Sequence, residues 1–145
     1  MRRRDCGEHP EIRDYGGEPF VFNIDHATNM NESFRTAIWT GRYMQLTLMS
    51  IPVCGEVGAE MHPDVDQFIR VESGRAVLYT GNCLNGLREV GRVDGSCAIL
   101  IPAGTWHNIV NTGNRPLKLY SLYAPPQHPF GTVNKIKPVE EHAEY

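Results

Sequence analysis

Two stretches of the sequence carry side chains that could bind a metal ion. One stretch contains Glu60, His62 and Gln67, and a second stretch further along the chain contains His107. Imidazole nitrogens suit Zn, Fe, Cu and Ni, whereas carboxylate and carbonyl oxygens suit harder ions such as Mn. Together these four side chains could hold a divalent transition metal (Zn, Fe, Mn or Ni) and leave coordination positions open. Open positions are typical of catalytic rather than structural metal sites.

The first stretch, residues 55–74, is predicted to form a strand, a tight turn and a second strand. Side chains two residues apart point to the same face of a strand, so Glu60 and His62 share one face. In the next strand Gln67 shares a face with Ile69, and the opposite face carries Arg and Glu, which are expensive to bury. We therefore expect Gln67 to face the interior, where an amide needs a hydrogen-bond partner or a metal.

The second stretch, residues 95–111, contains a Pro-x-Gly turn that would aim His107 from another strand toward the same interior. Some alternatives stay open. Each histidine taken alone could be an ordinary hydrogen-bonded side chain, and Asp64 or Asp66 could replace one of the four proposed ligands. Glu60 could also act as a general base in catalysis if it is not a ligand.

Short apolar runs between Gly and Pro residues predict an all-β fold of the sandwich or jelly-roll kind. The pattern predicts strands at residues 20–24, 36–40, 43–51, 59–62, 67–72, 76–79, 97–101, 106–110 and 117–123. Residues 25–32 are predicted to form a helical turn or a loop, and Asn-Gly at 85–86 is a hairpin signal.

The chain is expected to contain one domain. We predict a polar N-terminal arm at residues 1–19, a single barrel at residues 20–126 and a polar C-terminal tail at residues 127–145. The arm is interpreted as a loose segment that could pack on a neighbouring chain.

Composition limits the possible partners. A net charge of −3 argues against a nucleic-acid surface, which needs a surplus of Lys and Arg. No apolar run approaches the ~20 residues that a membrane span needs, and no apolar region follows the basic start. The four cysteines show no C-x-x-C spacing and are interpreted as reduced thiols of a cytoplasmic protein.

At its two motif stretches the chain resembles the cupin superfamily. The first cupin motif ends in His-x-His, four residues, Glu, six residues and Gly, where this chain has Glu60, His62, Gln67 and Gly74. The second motif is Gly, a short gap, Pro-x-Gly, two residues, His, three residues and Asn. The chain matches it in full, with Gly95, Pro102, Gly104, His107 and Asn111.

The resemblance implies a double-stranded β-helix, the cupin barrel, with an extended N-terminal arm and a metal bound inside. The whole chain is similar to small bacterial cupins of the mannose-6-phosphate-isomerase-like type. Type I phosphomannose isomerases also use a Gln, a Glu and two His around zinc. Glu60 and Gln67 depart from the three His and one Glu of many cupin dioxygenases, which weakens that analogy. Small cupins also pair as dimers, so a homodimer is expected.

Three functions follow from these observations. The first is a metal-dependent enzyme acting on a small polar substrate, with sugar-phosphate isomerisation as the specific hypothesis. The second is an Fe(II)-dependent oxygenase, since two His and one carboxylate resemble the facial triad of that class. The third is a non-catalytic barrel that binds a small ligand.

Overall fold

The computed structural model describes residues 5–139 of the chain, which form nine strands, one α-helix (α1, Ile24–Met30) and one 3₁₀ turn (Leu84–Gly86). The strands are β1 (Arg35–Thr40), β2 (Gln45–Ile51), β3 (Asp66–Ser73), β4 (Ala76–Gly81), β5 (Arg88–Val93), β6 (Ala98–Ile101), β7 (Trp106–Asn111), β8 (Leu117–Ala124) and β9 (Val133–Asn134).

The strands form two antiparallel sheets. One has six strands in the order β6-β3-β8-β2-β1-β9, and the other has three in the order β5-β4-β7. Inward side chains from both sheets meet in one core, because alternate residues of each strand point the same way. The predicted all-β, double-stranded β-helix fold is confirmed. In β3 the inward residues include Gln67 and Ile69, as the sequence predicted.

The interior is apolar at one end and polar at the other. The apolar end includes Met49, Val71 and Leu119, which pack in one buried cluster. Toward the other end of the same strands the inward side chains are polar. There Tyr123 of β8 pairs in the sheet register with Gln45 of β2 on one side and Gln67 of β3 on the other. All of these polar side chains are buried. A barrel built in this way can enclose a polar site.

The described part of the N-terminal arm packs against its own barrel. Asp14 is buried and accepts hydrogen bonds from the Thr40 hydroxyl at 2.6 Å and from the Gly131 amide at 2.9 Å. Ile12 and Tyr15 of the arm pack against a second apolar cluster that contains Leu48 on the outer face of the larger sheet. The arm is therefore held by the chain itself. Residues 1–4 of the arm lie outside the described residues, as do residues 140–145 of the predicted tail.

The predicted edge strand at residues 20–24 is wrong. Phe20 stacks on Phe22, with ring centroids 4.8 Å apart, and the two pack in the outer apolar cluster without joining a sheet. Asn23 then caps α1 by accepting a hydrogen bond from the His26 amide at 3.0 Å. The apolar run therefore reflects side-chain packing rather than strand pairing. Most of the segment at 25–32 belongs to α1, which ends at Met30.

Two further segments differ in detail from the expectation. The predicted strand at residues 59–62 is reduced to an isolated bridge between Glu60 and His107. Gly58, just before it, has a positive φ of 101°, which breaks the extended backbone. Within the predicted polar tail, β9 pairs with β1 and widens the larger sheet.

Candidate metal centre

Backbone pairing places Glu60 directly opposite His107. The amide of each residue donates to the carbonyl of the other, and both N···O distances are 2.9 Å. The chain before Glu60 is held by β7 as well, since the Gly58 amide donates to Asn108 Oδ1 at 2.9 Å. Residues paired in this way present their side chains on the same face of the ladder. The Glu60 carboxylate and the His107 imidazole consequently enter the interior side by side.

The Pro-x-Gly turn of the second motif orients both histidines. The Gly104 amide donates to the His62 carbonyl at 2.8 Å, and Gly104 has a positive φ of 83°, which favours glycine. His107 Nδ1 lies 2.9 Å from the Thr105 carbonyl oxygen. Because a carbonyl can only accept, Nδ1 carries a proton, and Nε2 is the nitrogen that faces the interior. Ligand histidines are commonly oriented by such a bond.

The three side chains converge on one point, and we refer to Glu60, His62 and His107 as the triad. Glu60 Oε1 lies 3.4 Å from His62 Nε2 and 3.6 Å from His107 Nε2, and all three candidate ligand atoms lie within 4.8 Å of one another. Neither Nε2 atom has a hydrogen-bond partner within residues 5–139, although both are buried. Two atoms bound to one ion at about 2.1 Å are about 3.0–3.4 Å apart at usual coordination angles. The two distances from Glu60 lie at and just above this range, so the triad could hold a transition metal.

The electrostatics of the triad favour an ionised carboxylate. Burial raises the pKa of Glu60, but the contacts with His107 and His62 and the charge of Arg35 lower it by more, so the pKa stays well below the usual range. The carboxylate is thus ready to bind a cation across ordinary pH.

The structure places Gln67 on the predicted inward face, where it is buried. Its Nε2 donates to Ser121 Oγ at 3.3 Å, and its Oε1 has no hydrogen-bond partner in the described part of the chain. Gln67 is the register partner of Tyr123, whose ring centroid lies 5.7 Å from that of His62. Its role as the fourth ligand stays a prediction, supported by this free buried oxygen.

The alternative ligands Asp64 and Asp66 lie elsewhere. Both are exposed, and Asp66 Oδ1 accepts a hydrogen bond from the Ala103 amide at 2.9 Å, so it supports the Pro-x-Gly turn from outside. Asn111 of the second motif holds loops together. Its amide donates to the carbonyls of Ile51, Pro52 and Arg115.

Four polar residues lie beside the triad, namely Arg35, Thr47, Tyr123 and His128, which we call the Arg35 cluster. Sequence reasoning did not single out Arg35 and His128. Each carries a buried polar atom without a hydrogen-bond partner among the described residues: Arg35 Nε, Thr47 Oγ1, the Tyr123 hydroxyl and His128 Nε2. Arg35 is the first inward-facing residue of β1 and is followed two residues later by buried Ala37. This is the alternation that identified Gln67 at the start of β3. The same signal could have found it.

His128 reaches the interior because Gln45 holds its loop. Gln45 Nε2 donates to the His128 carbonyl at 2.9 Å, and the His128 amide donates back to Gln45 Oε1 at 2.9 Å. Burial and the charge of Arg35 lower the pKa of His128 to about 4, so its imidazole is neutral at pH 7. Burial and the charge of Glu60 raise the pKa of Tyr123 to about 12, so its hydroxyl keeps its proton.

Comparison with known proteins identifies the family. Residues 47–123 match the family described as Cupin domain, so the chain belongs to the cupin family. The chain is 54% identical to the uncharacterized protein YrkC of Bacillus subtilis over 126 residues. The matched region covers 87% of this chain and 68% of that protein. It is 41% identical to the uncharacterized protein L612 of Acanthamoeba polyphaga mimivirus over 120 residues, and this matched region covers 82% of this chain and 73% of that protein.

A solved structure supports the same assignment. The crystal structure of BH2720 from Bacillus halodurans is 56% identical and has a TM-score of 0.85, over 87% of this chain and 96% of that chain. No helix in residues 5–139 has the length and apolar character needed to cross a membrane.

Proposed function

We propose that the chain binds one divalent transition metal through the triad, with the Gln67 oxygen as a further ligand, and acts as an enzyme on a small polar molecule. One observation carries the proposal. Two buried imidazole nitrogens without hydrogen-bond partners among the described residues face one ionised carboxylate oxygen at 3.4 and 3.6 Å. Orphaned buried nitrogens are unfavourable unless something binds them.

The chemistry that a metal supplies when bound is Lewis acidity, which polarises a substrate oxygen and acidifies a neighbouring C–H bond. In this proposal Glu60 is a ligand. The prediction that Glu60 is a catalytic base is less well supported, because a carboxylate whose pKa is held so low is a weak proton acceptor. The buried polar groups beside the triad would orient the substrate.

The specific hypothesis is isomerisation of a sugar phosphate in the manner of mannose-6-phosphate-isomerase-like cupins. The mixed set of Gln67 with two imidazoles and a carboxylate supports it. The reaction moves a proton between neighbouring carbons, so the metal-loaded protein should exchange substrate protons with deuterated water.

Fe(II) oxygenase chemistry is a second candidate. The observation that favours it is the triad itself, since two His and one carboxylate with open positions are typical of non-haem Fe(II) oxygenases. Oxygen uptake by the iron-loaded protein with candidate phenols or thiols would distinguish it from the isomerase. A tightly bound metabolite that is released unchanged would instead favour a non-catalytic barrel.

Metal content tests the shared part of both hypotheses. Untagged protein purified without chelator should contain about one transition metal per chain by mass spectrometry, the usual stoichiometry of a single site. His62→Ala and His107→Ala should each lose it. Glu56→Gln is the matched control, because Glu56 is exposed near the same loop and pairs with Lys137 outside the triad. Wild-type protein without metal after reconstitution would overturn the proposal.

A further inference from the structure

The Arg35 cluster carries more unsatisfied polar atoms than a closed core should. Its four members contribute a guanidinium nitrogen, two hydroxyls and an imidazole nitrogen, all buried and all without hydrogen-bond partners within residues 5–139. Arg35 and Tyr123 are 6% and 0% exposed. Buried polar groups in folded proteins nearly always have a hydrogen-bond partner. Four such groups without one, in the same place, point to a ligand as the missing partner.

The sheet register brings the cluster together beside the triad. Thr47 and Tyr123 lie on the inward faces of neighbouring strands β2 and β8, and Arg35 enters from β1 on the far side of β2. The Tyr123 ring contacts the His62 ring on one side and the His128 ring on the other, with centroids 5.7 and 5.1 Å away. Tyr123 is therefore shared between the triad and the cluster, and one small molecule could reach both.

The Tyr123 hydroxyl lies next to two other members of the cluster. Thr47 and Arg35 both act to lower the pKa of Tyr123, although burial and Glu60 raise it by more. Even so, the hydroxyl makes no hydrogen bond of proper geometry in the described part of the chain. The groups are close enough to bind the same atoms of a ligand but are not arranged to satisfy one another.

The charge of the cluster is positive and unbalanced. Arg35 makes no ion pair among the described residues, and its one hydrogen bond is donated by Nη1 to the neutral Asn134 side chain at 3.4 Å. The nearby carboxylate of Glu60 belongs to the triad, where a divalent cation would more than neutralise it. A buried guanidinium left in this state favours an anion that accepts hydrogen bonds.

A carboxylate suits this cluster better than a phosphate. One guanidinium matches the single charge and the planar oxygens of a carboxylate, which it binds through two parallel hydrogen bonds. The other members contribute two hydroxyls and one imidazole, so Arg35 is the one member of the cluster with a permanent positive charge. A dianionic phosphate would find only one cationic side chain here.

We propose that the Arg35 cluster binds the carboxylate group of the substrate, so that the substrate is a small carboxylic acid with a further oxygen directed toward the triad. This assignment rests on the proposed metal-dependent function. It narrows the small polar substrate to compounds such as hydroxy acids and keto acids, and so disfavours the sugar phosphate of the isomerase hypothesis. Arg35 and Tyr123 then decide specificity, while the triad does the chemistry.

Calorimetric titration with two probes tests the assignment on the metal-loaded protein. Glycolate has a carboxylate and a hydroxyl, and glycolamide has the same shape without the charge. A hydrogen bond to a charged group is lost with glycolamide, so it should bind about 10–100-fold more weakly than glycolate. Inorganic phosphate should also bind more weakly than glycolate. Phosphate binding as tightly as glycolate would overturn the choice of a carboxylate.

Variants assign the effect to the cluster. Arg35→Met should weaken glycolate binding about 10–100-fold and leave glycolamide unchanged, and Arg35→Lys should fall between, since it keeps the charge and loses the paired donors. Tyr123→Phe removes only the hydroxyl and should weaken glycolate binding several-fold. Arg70→Met is the matched control, because Arg70 lies on the outward face of β3 and pairs with Glu72. This variant should bind glycolate as the wild type does.

Metal content measured on the same samples separates this inference from the function on which it rests. Glycolate binding unchanged in Arg35→Met and Tyr123→Phe, with one metal still bound per chain, would overturn the carboxylate site alone. Glycolate binding that depends on Arg35 in protein that never takes up metal would overturn the metal proposal and support the carboxylate site. Because Arg35→Lys and Tyr123→Phe are small changes, the test does not depend on Arg35→Met folding.

Discussion

Replacement of Glu60 by glutamine is the sharpest test of the triad, because it removes a charge and almost no volume. Glu60 Oε1 faces both histidine nitrogens, at 3.4 and 3.6 Å, so its carboxylate is the ligand that joins the two imidazoles into one site. Glutamine keeps one oxygen there but loses the negative charge. We expect Glu60→Gln to keep the fold and to lose most of the affinity for metal.

The expected size of the effect can be worked out for a thermal-unfolding experiment. Loss of an outer hydrogen-bond partner already costs about 10–100-fold in metal affinity, so loss of the ligand's charge should cost at least about 100-fold. At a free metal concentration of about 100 times the wild-type Kd, the metal stabilises the wild type by about 2.7 kcal/mol. A protein with about 100-fold weaker affinity gains only about 0.4 kcal/mol under the same conditions.

These free energies translate into melting temperatures that calorimetry can measure. For a chain of this size, 1 kcal/mol moves the Tm by about 2–4 °C, so metal should raise the wild-type Tm by about 8 °C and that of Glu60→Gln by about 1 °C. Each variant is compared with and without metal, so any effect of the substitution on the metal-free protein cancels. Glu56→Gln, which removes the same charge from an exposed position near the same loop, should respond like the wild type. A full metal shift in Glu60→Gln would refute the triad as the binding site.

Three further predictions follow from the same geometry. Dialysis against buffers of falling pH should release the metal, because protons compete with it for the imidazole nitrogens, while the depressed pKa of Glu60 keeps the carboxylate ionised. Metal content unchanged at pH 4 would contradict imidazole ligands. Gln67→Leu should weaken metal affinity by about tenfold in a competition titration with a chelator, and an unchanged affinity would exclude its amide from the ligand set. Gly74→Ala should lower the free energy of unfolding in urea by about 2–4 kcal/mol. Gly104→Ala should lower it by only about 1–2 kcal/mol, which is the usual cost of a side chain on a residue in the left-handed conformation. Both positions have positive φ, but an added Cβ would lie 3.0 Å from Leu117 Cα at Gly74 and would meet nothing within 4 Å at Gly104, so equal losses would contradict this explanation.

Much of the fold could be predicted from local sequence patterns. Glycine and proline mark the ends of strands, and alternation in β3 identified the inward face correctly, because the period of two is a local property of extended backbone. The failures are also local in origin. At residues 20–24 an apolar run resembled a strand, but its phenylalanines pack against the outside of β2 and the segment belongs to neither sheet. Whether an extended segment finds a partner strand depends on residues far away in the sequence.

The sequence by itself singled out Glu60, His62 and His107 as candidate ligands, because the spacing of Glu60 and His62 and the turn before His107 are short-range features. Only the tertiary structure decided what surrounds it. Arg35, Tyr123 and His128 come from β1, from β8 and from the loop after β8, and they meet because the register of the larger sheet and the hydrogen bonds of Gln45 bring those segments to the polar end of the barrel. No local spacing relates residues so far apart, so their meeting beside the triad becomes visible only when the barrel closes.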